Sequence, residues 1–217
     1  MTNQKRTRAQ RLAPEERKRQ LTRYAIQAFA TYGIGRANHA QVASLAKVAV
    51  PTVFLYFPTR ESLVDAVLNE VETLLLTIIR TEAKKKDLTA FEKLLNLLSS
   101  YIDAMDNNTD LVKVFLDWTT CFEEYLSNCM QAYLKKLVAA LSEIVEDGKK
   151  NKEFDASVDP KDAALMIYSS ANMLAQLKFF YRDTDITHYV ISLISAVLHL
   201  DEKQAEKFIG SKKPKKV

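Results

Sequence analysis

The chain of 217 residues carries 31 Lys+Arg against 27 Asp+Glu, a net charge of +4, with 47% apolar residues and only 4 Gly, 5 Pro and 2 Cys. Few helix breakers and no strand-type alternation point to an all-α fold, long enough to bury a substantial core as one domain or two. No apolar run reaches the roughly 18 residues of a membrane span, and the basic start MTNQKRTRAQR lacks the apolar region of a secretory signal, so no membrane partner is expected and the cytoplasm is the expected compartment.

The charge is unevenly distributed. Residues 1–60 hold 11 Lys+Arg and 2 Asp+Glu, a net +9, and the remainder carries −5. A basic head on an acidic body is the layout of a polyanion binder. Residues 1–13 read as a basic arm, with Arg8 and Arg11 placed to enter a narrow minor groove. Pro14 with Glu15 and Glu16 is a good first helical turn, because proline lacks the N–H that a helix start leaves unpaired and acids suit the dipole. That helix presents Leu21, Tyr24, Ala25, Ala28, Phe29 and Tyr32 on its apolar face and stops at Gly33 and Gly35.

Asn38 and Gln41 form a capping box for the next helix, and HAQVASLAKVAVPTVFLYF, residues 39–57, has the spacing of a helix-turn-helix with its turn at Lys47 to Ala49. At 100° per residue, Val50, Val53, Phe54 and Phe57 share an inward face, and Pro51, Thr52, Leu55 and Tyr56 the outward one. His39 reads as a surface residue near the cap, since no Cys, His or acid stands at metal-ligand spacing from it. Lys47 occupies a position that a left-handed turn would strain, Ala49 offers no capping side chain, and Val50 before Pro51 is biased to start the short helix one residue late.

Thr59 can cap a long connecting helix through Leu63, Val67, Leu68, Val71, Leu75 and Ile78. Beyond it come helices around Phe91 to Met105, from about Leu111 to Phe122, and from about Glu123 to Lys149, the last with Gly148 as its natural end. Cys121 and Cys129 on one continuous helix would be separated by a rise of about 12 Å, too far for a disulfide. Asp159-Pro160 opens the next helix. Both AALMIYSSANMLAQLKFFY and ITHYVISLISAVLHL are apolar nearly all round and need cover on every side. A homodimer interface through Ile167, Ala171, Leu174, Tyr189, Leu193 and Val197 supplies that cover; a helix hairpin buried inside one chain is the alternative. Residues 201–217 form a basic tail whose role stays open. The chain shows no metal, cofactor, phosphate-loop or nucleophile motif, and its three histidines stand far apart, so it is not expected to be an enzyme.

From Pro14 to about Leu75 the chain resembles the TetR family of bacterial transcription regulators, through VFLYFPTRESL, and more closely the quorum-sensing master regulators of the LuxR/HapR type. The second likeness rests on RLAPEERKRQL, GIGRANHAQVA, TVFLYFPTRESLVDAVL and LVKVFLDW. The resemblance implies a three-helix helix-turn-helix head over residues 14–74 and a C-terminal helical bundle over 75–200 for dimerisation and ligand binding. It also implies a homodimer on a pseudo-palindromic operator in double-stranded DNA, with Arg8 and Arg11 in the minor groove. Expected contacts run from Asn38, Lys47, Thr52 and Tyr56, and from Pro51, Leu55 and the Thr52 methyl to thymine methyls. A pocket near Trp118, lined by Phe115, Trp118, Phe122, Met130 and Tyr133, would take a small apolar ligand; plain core is the competing reading. A ligand-responsive repressor of efflux or metabolic genes, with no quorum-sensing role, and a helical adaptor binding only protein are the rivals.

Overall fold

The computed structural model describes residues 13–181 and 187–200; Arg8, Arg11 and the 201–217 tail lie outside them. Among the described residues nine helices and no strands are found: α1 Pro14–Tyr32, α2 His39–Ala46, α3 Val50–Tyr56, α4 Arg60–Ala83, α5 Ala90–Asn107, α6 Thr109–Thr119, α7 Glu124–Lys150, α8 Pro160–Phe180 and α9 Thr187–Val197. None is long and apolar enough to cross a membrane. Two compact units divide the chain between Leu68 and Asn69, inside α4.

In the first unit α1 opens at Pro14, where the Glu16 carboxylate accepts the Ala13 N–H at 3.3 Å, and it closes at Gly33, whose φ of 88° lies in the region that favours glycine. Leu21, Ala25, Ala28 and Phe29 form the buried stripe of α1, against which Val42 and Ala43 of α2 are packed out of solvent with Val53 of α3. Tyr32, expected on the apolar face, is 40% exposed. At the start of α4, Thr59 and Ser62 cap each other reciprocally through their backbone N–H groups and hydroxyls, both at 3.1 Å. The Arg60 guanidinium donates to the Ile34 carbonyl at 2.9 Å and ties down the loop after α1.

The second unit is a helical bundle in which α7 packs along α8, α8 along α9, and α5 against all three. Thr89 and Glu92 make a capping box for α5, and the Glu153 carboxylate, from the loop after α7, accepts the Ala90 N–H at 2.7 Å. Trp118 is fully buried and donates its Nε1–H to the Leu126 carbonyl at 2.9 Å, stapling α6 to α7. Asp159 caps α8 by accepting from Lys161 and Asp162 N–H groups at 2.9 and 3.0 Å, and the Asp162 N–H is the main cause of its lowered pKa.

Several sequence expectations are corrected. Helix α3 begins at Val50 with Pro51 in its first turn, so the residue before proline is not displaced from the helix. Gly148 does not end α7, which runs to Lys150; it is buried because the Phe154 ring lies against it. Cys121 follows the end of α6 and Cys129 lies on α7, so the two cysteines, neither in a disulfide, do not share one helix. Phe122 is 91% exposed, because α6 ends at Thr119 and leaves it in the connection to α7; it is absent from the lining of the cleft that Phe115 and Tyr133 share. Ile167, Leu174 and Val197, expected at a dimer interface, are 2%, 1% and 6% exposed within the single chain, covered by neighbouring helices of the bundle.

A Cβ at position 148 would overlap the Phe154 ring and press on Ala90 Cβ at 2.9 Å. Gly148→Ala should therefore cost about 1–2 kcal/mol despite alanine's better helix propensity, as overpacking outweighs it. A cycle with Phe154→Ala in urea denaturation should return a coupling of about 1 kcal/mol; additive losses would show that the close approach carries no strain.

Candidate nucleic-acid interface

The helix-turn-helix is built by local chemistry at one end and a long-range bond at the other. Asn38 Oδ1 accepts the Ala40 and Gln41 N–H groups at 3.0 and 3.4 Å, and Gln41 Oε1 accepts the Asn38 N–H at 2.9 Å, completing the expected capping box. Lys47 ends α2 in the left-handed conformation, φ 54° and ψ 45°, a geometry that costs a non-glycine residue about 1–2 kcal/mol. Ala49 is the N-cap of α3 and supplies no side-chain bond. The short helix thus starts without the usual cap and is held from elsewhere.

His39 is the holding residue. It is 6% exposed rather than at the surface, and its Nε2–H donates to the Phe57 carbonyl, 18 residues away, at 2.7 Å. A carbonyl can only accept, which fixes the proton on Nε2. The His39 ring also stacks on Phe54 with centroids 4.0 Å apart and planes 4° from parallel. Val53 and Phe57 face inward as expected, at 0% and 1% exposure. Val50 and Phe54 do not: they are 37% and 46% exposed, because the inward positions near α2 are taken by His39 and Val53.

The exposed surface of α3 and its turn brings together Asn38, Lys47, Pro51 and Leu55, with Thr52 and Tyr56 half-buried. Leu55 is 76% exposed, the most open large apolar side chain on the motif. Asn38 has committed its carboxamide oxygen to the cap, which leaves the amide free to donate. Phe54 and Val50 join this surface, and sequence reasoning missed both. Exposed Arg36 flanks it, holding the Tyr32 carbonyl through Nε at 3.1 Å. The surface can grip phosphates at Lys47 and press methyls against bases; it displays no Arg, Gln or Glu on α3 for bidentate base pairing.

In the second unit an apolar cleft opens between α4, α5, α6, α7 and α8. It is half open and has a volume of about 50 Å³, or about 420 Å³ counted out into open solvent. Phe115 and Tyr133 line it as expected; so do Tyr101, Ile167, Tyr168, Ala171 and Asn172. Trp118 stands behind Tyr133, ring centroids 5.5 Å apart, and Met130 is packed in the core at 9% exposure; neither reaches the cleft. Ile167 and Ala171, expected at an interface, turn inward here. Ala171 and Leu193 are half-buried and Tyr189 is 47% exposed.

Residues 21–67 match the family model of bacterial regulatory proteins of the tetR family, and residues 87–176 match that of the tetracyclin repressor-like C-terminal domain. The chain belongs to the TetR family. It is 41% identical over 109 residues to the HTH-type transcriptional regulator LuxR of Vibrio harveyi; the chain spans about half the length of that relative, 53%, using 50% of its own. Solved structures confirm the fold of this TetR-family chain. A TetR-family transcriptional regulator from Rhodococcus sp. superimposes with a TM-score of 0.74 at 19% identity, covering 84% of this chain and 99% of that one. The regulator FadR from Bacillus subtilis, in complex with stearoyl-CoA, gives 0.70 at 19% identity, covering 83% and 97%.

Replacing His39 by Ala leaves the Phe57 carbonyl unpaired and removes the stack on Phe54. The expected loss is roughly 2 kcal/mol or more in chemical denaturation of the full chain. A loss below about 0.5 kcal/mol, within the range of ordinary surface substitutions, would show that α3 is held by Val53 and Phe57 burial alone.

Proposed function

We propose that this TetR-family chain is a cytoplasmic, homodimeric regulator that binds a pseudo-palindromic operator, in the manner of the quorum-sensing master regulators. The observation that carries the reading is the exposed α3 surface beside Lys47 within the basic head. The likeness to the Vibrio harveyi regulator supports the quorum-sensing part. Lys47, Thr52 and Tyr56 take phosphates and set register, Asn38 adds a contact at the start of α2, and Pro51, Leu55 and the Thr52 methyl meet thymine methyls. Because that face carries no bidentate base reader, much of the specificity is assigned to groove shape and to Arg8 and Arg11 in the minor groove.

Selection from random duplex DNA should return two inverted half-sites about one helical turn apart, 10–10.5 bp. On that site, Arg8→Ala/Arg11→Ala should lower affinity and make the log K against log salt slope shallower by about 2, as two fewer cations are exchanged. Unchanged affinity and slope would remove the arm from recognition. Failure to bind any duplex at low salt would favour the protein-adaptor reading instead.

The dimer face of this reading moves outward from the residues first expected. Met166, Met173 and Phe180 on α8 recur every seven residues, so they form one stripe, and they are 53%, 44% and 77% exposed; Tyr189 on α9 adds to them. Contiguous exposed apolar surface of this kind marks an interaction site. Met173→Asp should convert the dimer to monomer in light scattering, with unchanged helix content. A dimer that persists unaltered would move the interface elsewhere.

A second reading, a ligand-responsive repressor, is favoured by the cleft in the second unit and by the acyl-CoA bound to the similarly folded Bacillus regulator. A compound that enters the cleft and weakens operator binding would establish it.

A further inference from the structure

The face that α3 turns to solvent is hydrocarbon alone. Val50, Pro51, Phe54 and Leu55 are its exposed residues, and their spacing puts them on one side of the helix. The polar side chains of α3, Thr52 and Tyr56, are half-buried along one flank of that face. The face is also held in place. Val53 is buried beneath it, the Phe54 ring is stacked on His39 at 4.0 Å, and the His39 bond to the Phe57 carbonyl ties down the end of the helix.

An exposed apolar face ordinarily marks a protein partner, but the charge around this one argues for DNA. Residues 1–60 carry a net +9, Lys47 is exposed at the turn beside the face, and no Asp or Glu stands between Glu16 and Glu61. Such a head attracts the duplex polyanion, and the apolar feature of the major groove is a methyl on pyrimidine C5. Thymine carries that methyl, and 5-methylcytosine carries it on the same ring atom. In the groove the two bases differ at the 4-position, an acceptor oxygen on thymine and a donor amine on cytosine, and in the purine opposite. Reading the amine takes Glu or Asp, and reading the purine takes Arg, Lys, Asn or Gln; α3 has none of them. The single hydroxyls of Thr52 and Tyr56 can donate or accept, so they favour neither base.

We infer that α3 reads the C5-methyl group itself, through Leu55 above all, and not the base that carries it, so that 5-methylcytosine·guanine stands in for thymine·adenine where α3 meets the groove. Leu55 is 76% exposed and has the most surface to lose to a methyl. The inference rests on the proposed operator binding and names the chemical feature of the operator that α3 recognises. It makes binding by this chain sensitive to cytosine methylation.

Selection with the full chain from two random duplex libraries, one with ordinary cytosine and one with 5-methylcytosine throughout, tests this. Both should return inverted half-sites of the same spacing, and at least one position in each half-site that requires thymine in the first library should accept 5-methylcytosine in the second. In competition titrations, uracil in place of thymine at that position should weaken binding about fourfold, the worth of one buried methyl, and cytosine in place of 5-methylcytosine should weaken it by the same factor. Leu55→Ala should shrink both factors below about twofold, because most of the methyl's apolar contact is gone. The variant should melt with the wild type, since the side chain is exposed, which separates lost discrimination from lost fold. If every such position kept thymine in the methylated library, or uracil bound as tightly as thymine, the inference would fall and operator binding would stand. Methyl factors undiminished in Leu55→Ala would overturn the part given to Leu55. Enrichment from neither library would remove the inference together with operator binding and leave the α3 face to a protein partner.

Discussion

The bond from His39 Nε2–H to the Phe57 carbonyl is the constraint on which the first unit's surface depends. Helix α3 has only seven residues, an uncapped start at Ala49 and a strained turn before it at Lys47. A helix that short has little stability of its own, and its last carbonyls lack intrahelical partners. His39, fixed at the first turn of α2 by the Asn38 and Gln41 box, reaches the far end of α3 and satisfies one of them. The same ring, stacked on Phe54, holds that side chain on the outer surface next to Leu55. A residue that looks peripheral in the sequence thus determines both where the short helix lies against α2 and which apolar groups it displays.

What the sequence made legible was local. The Asn38 and Gln41 box, the Asp159-Pro160 start of α8 and the strained Lys47 all follow from side chains acting on backbone within a few residues. What it concealed was distant. The 18-residue gap between His39 and Phe57 has no periodic signature, so His39 read as surface. The helical wheel placed Phe54 and Val50 inward because a wheel counts apolar positions without knowing which of them a neighbouring helix covers. Gly148 read as a stop because glycine usually is one; its reason, the Phe154 ring folded back after the turn, belongs to a later residue. Phe122 read as pocket lining only while the helix of Trp118 was carried past Thr119.

Helix α8 explains why apolar character on every side need not mean a single buried role. Its inner residues, Ile167, Ala171 and Leu174, pack within the bundle or line the cleft, and its outer stripe of Met166, Met173 and Phe180 is left open. The sequence posed two alternatives for this helix, an interface or an internal hairpin. The structure divides the helix between an inner face covered within the chain and an outer one that remains exposed. Seven-residue spacing separates the two, since it holds Met166, Met173 and Phe180 to one line while their inward neighbours turn away.

The distribution of charge follows the same economy. Lysines and arginines outnumber acids by nine over residues 1–60, where the exposed apolar surface of α3 carries no strong base-reading side chain of its own. Over the remainder acids prevail, and the cleft lining is uncharged. Cationic attraction is long-ranged and indifferent to sequence, whereas methyl contacts are short-ranged and selective. On the proposed function, a head that concentrates the first and offers only the second on α3 would gain affinity from its charge and discrimination from its shape, and the packing that aims Leu55 and Phe54 would matter more than any single polar contact on that helix.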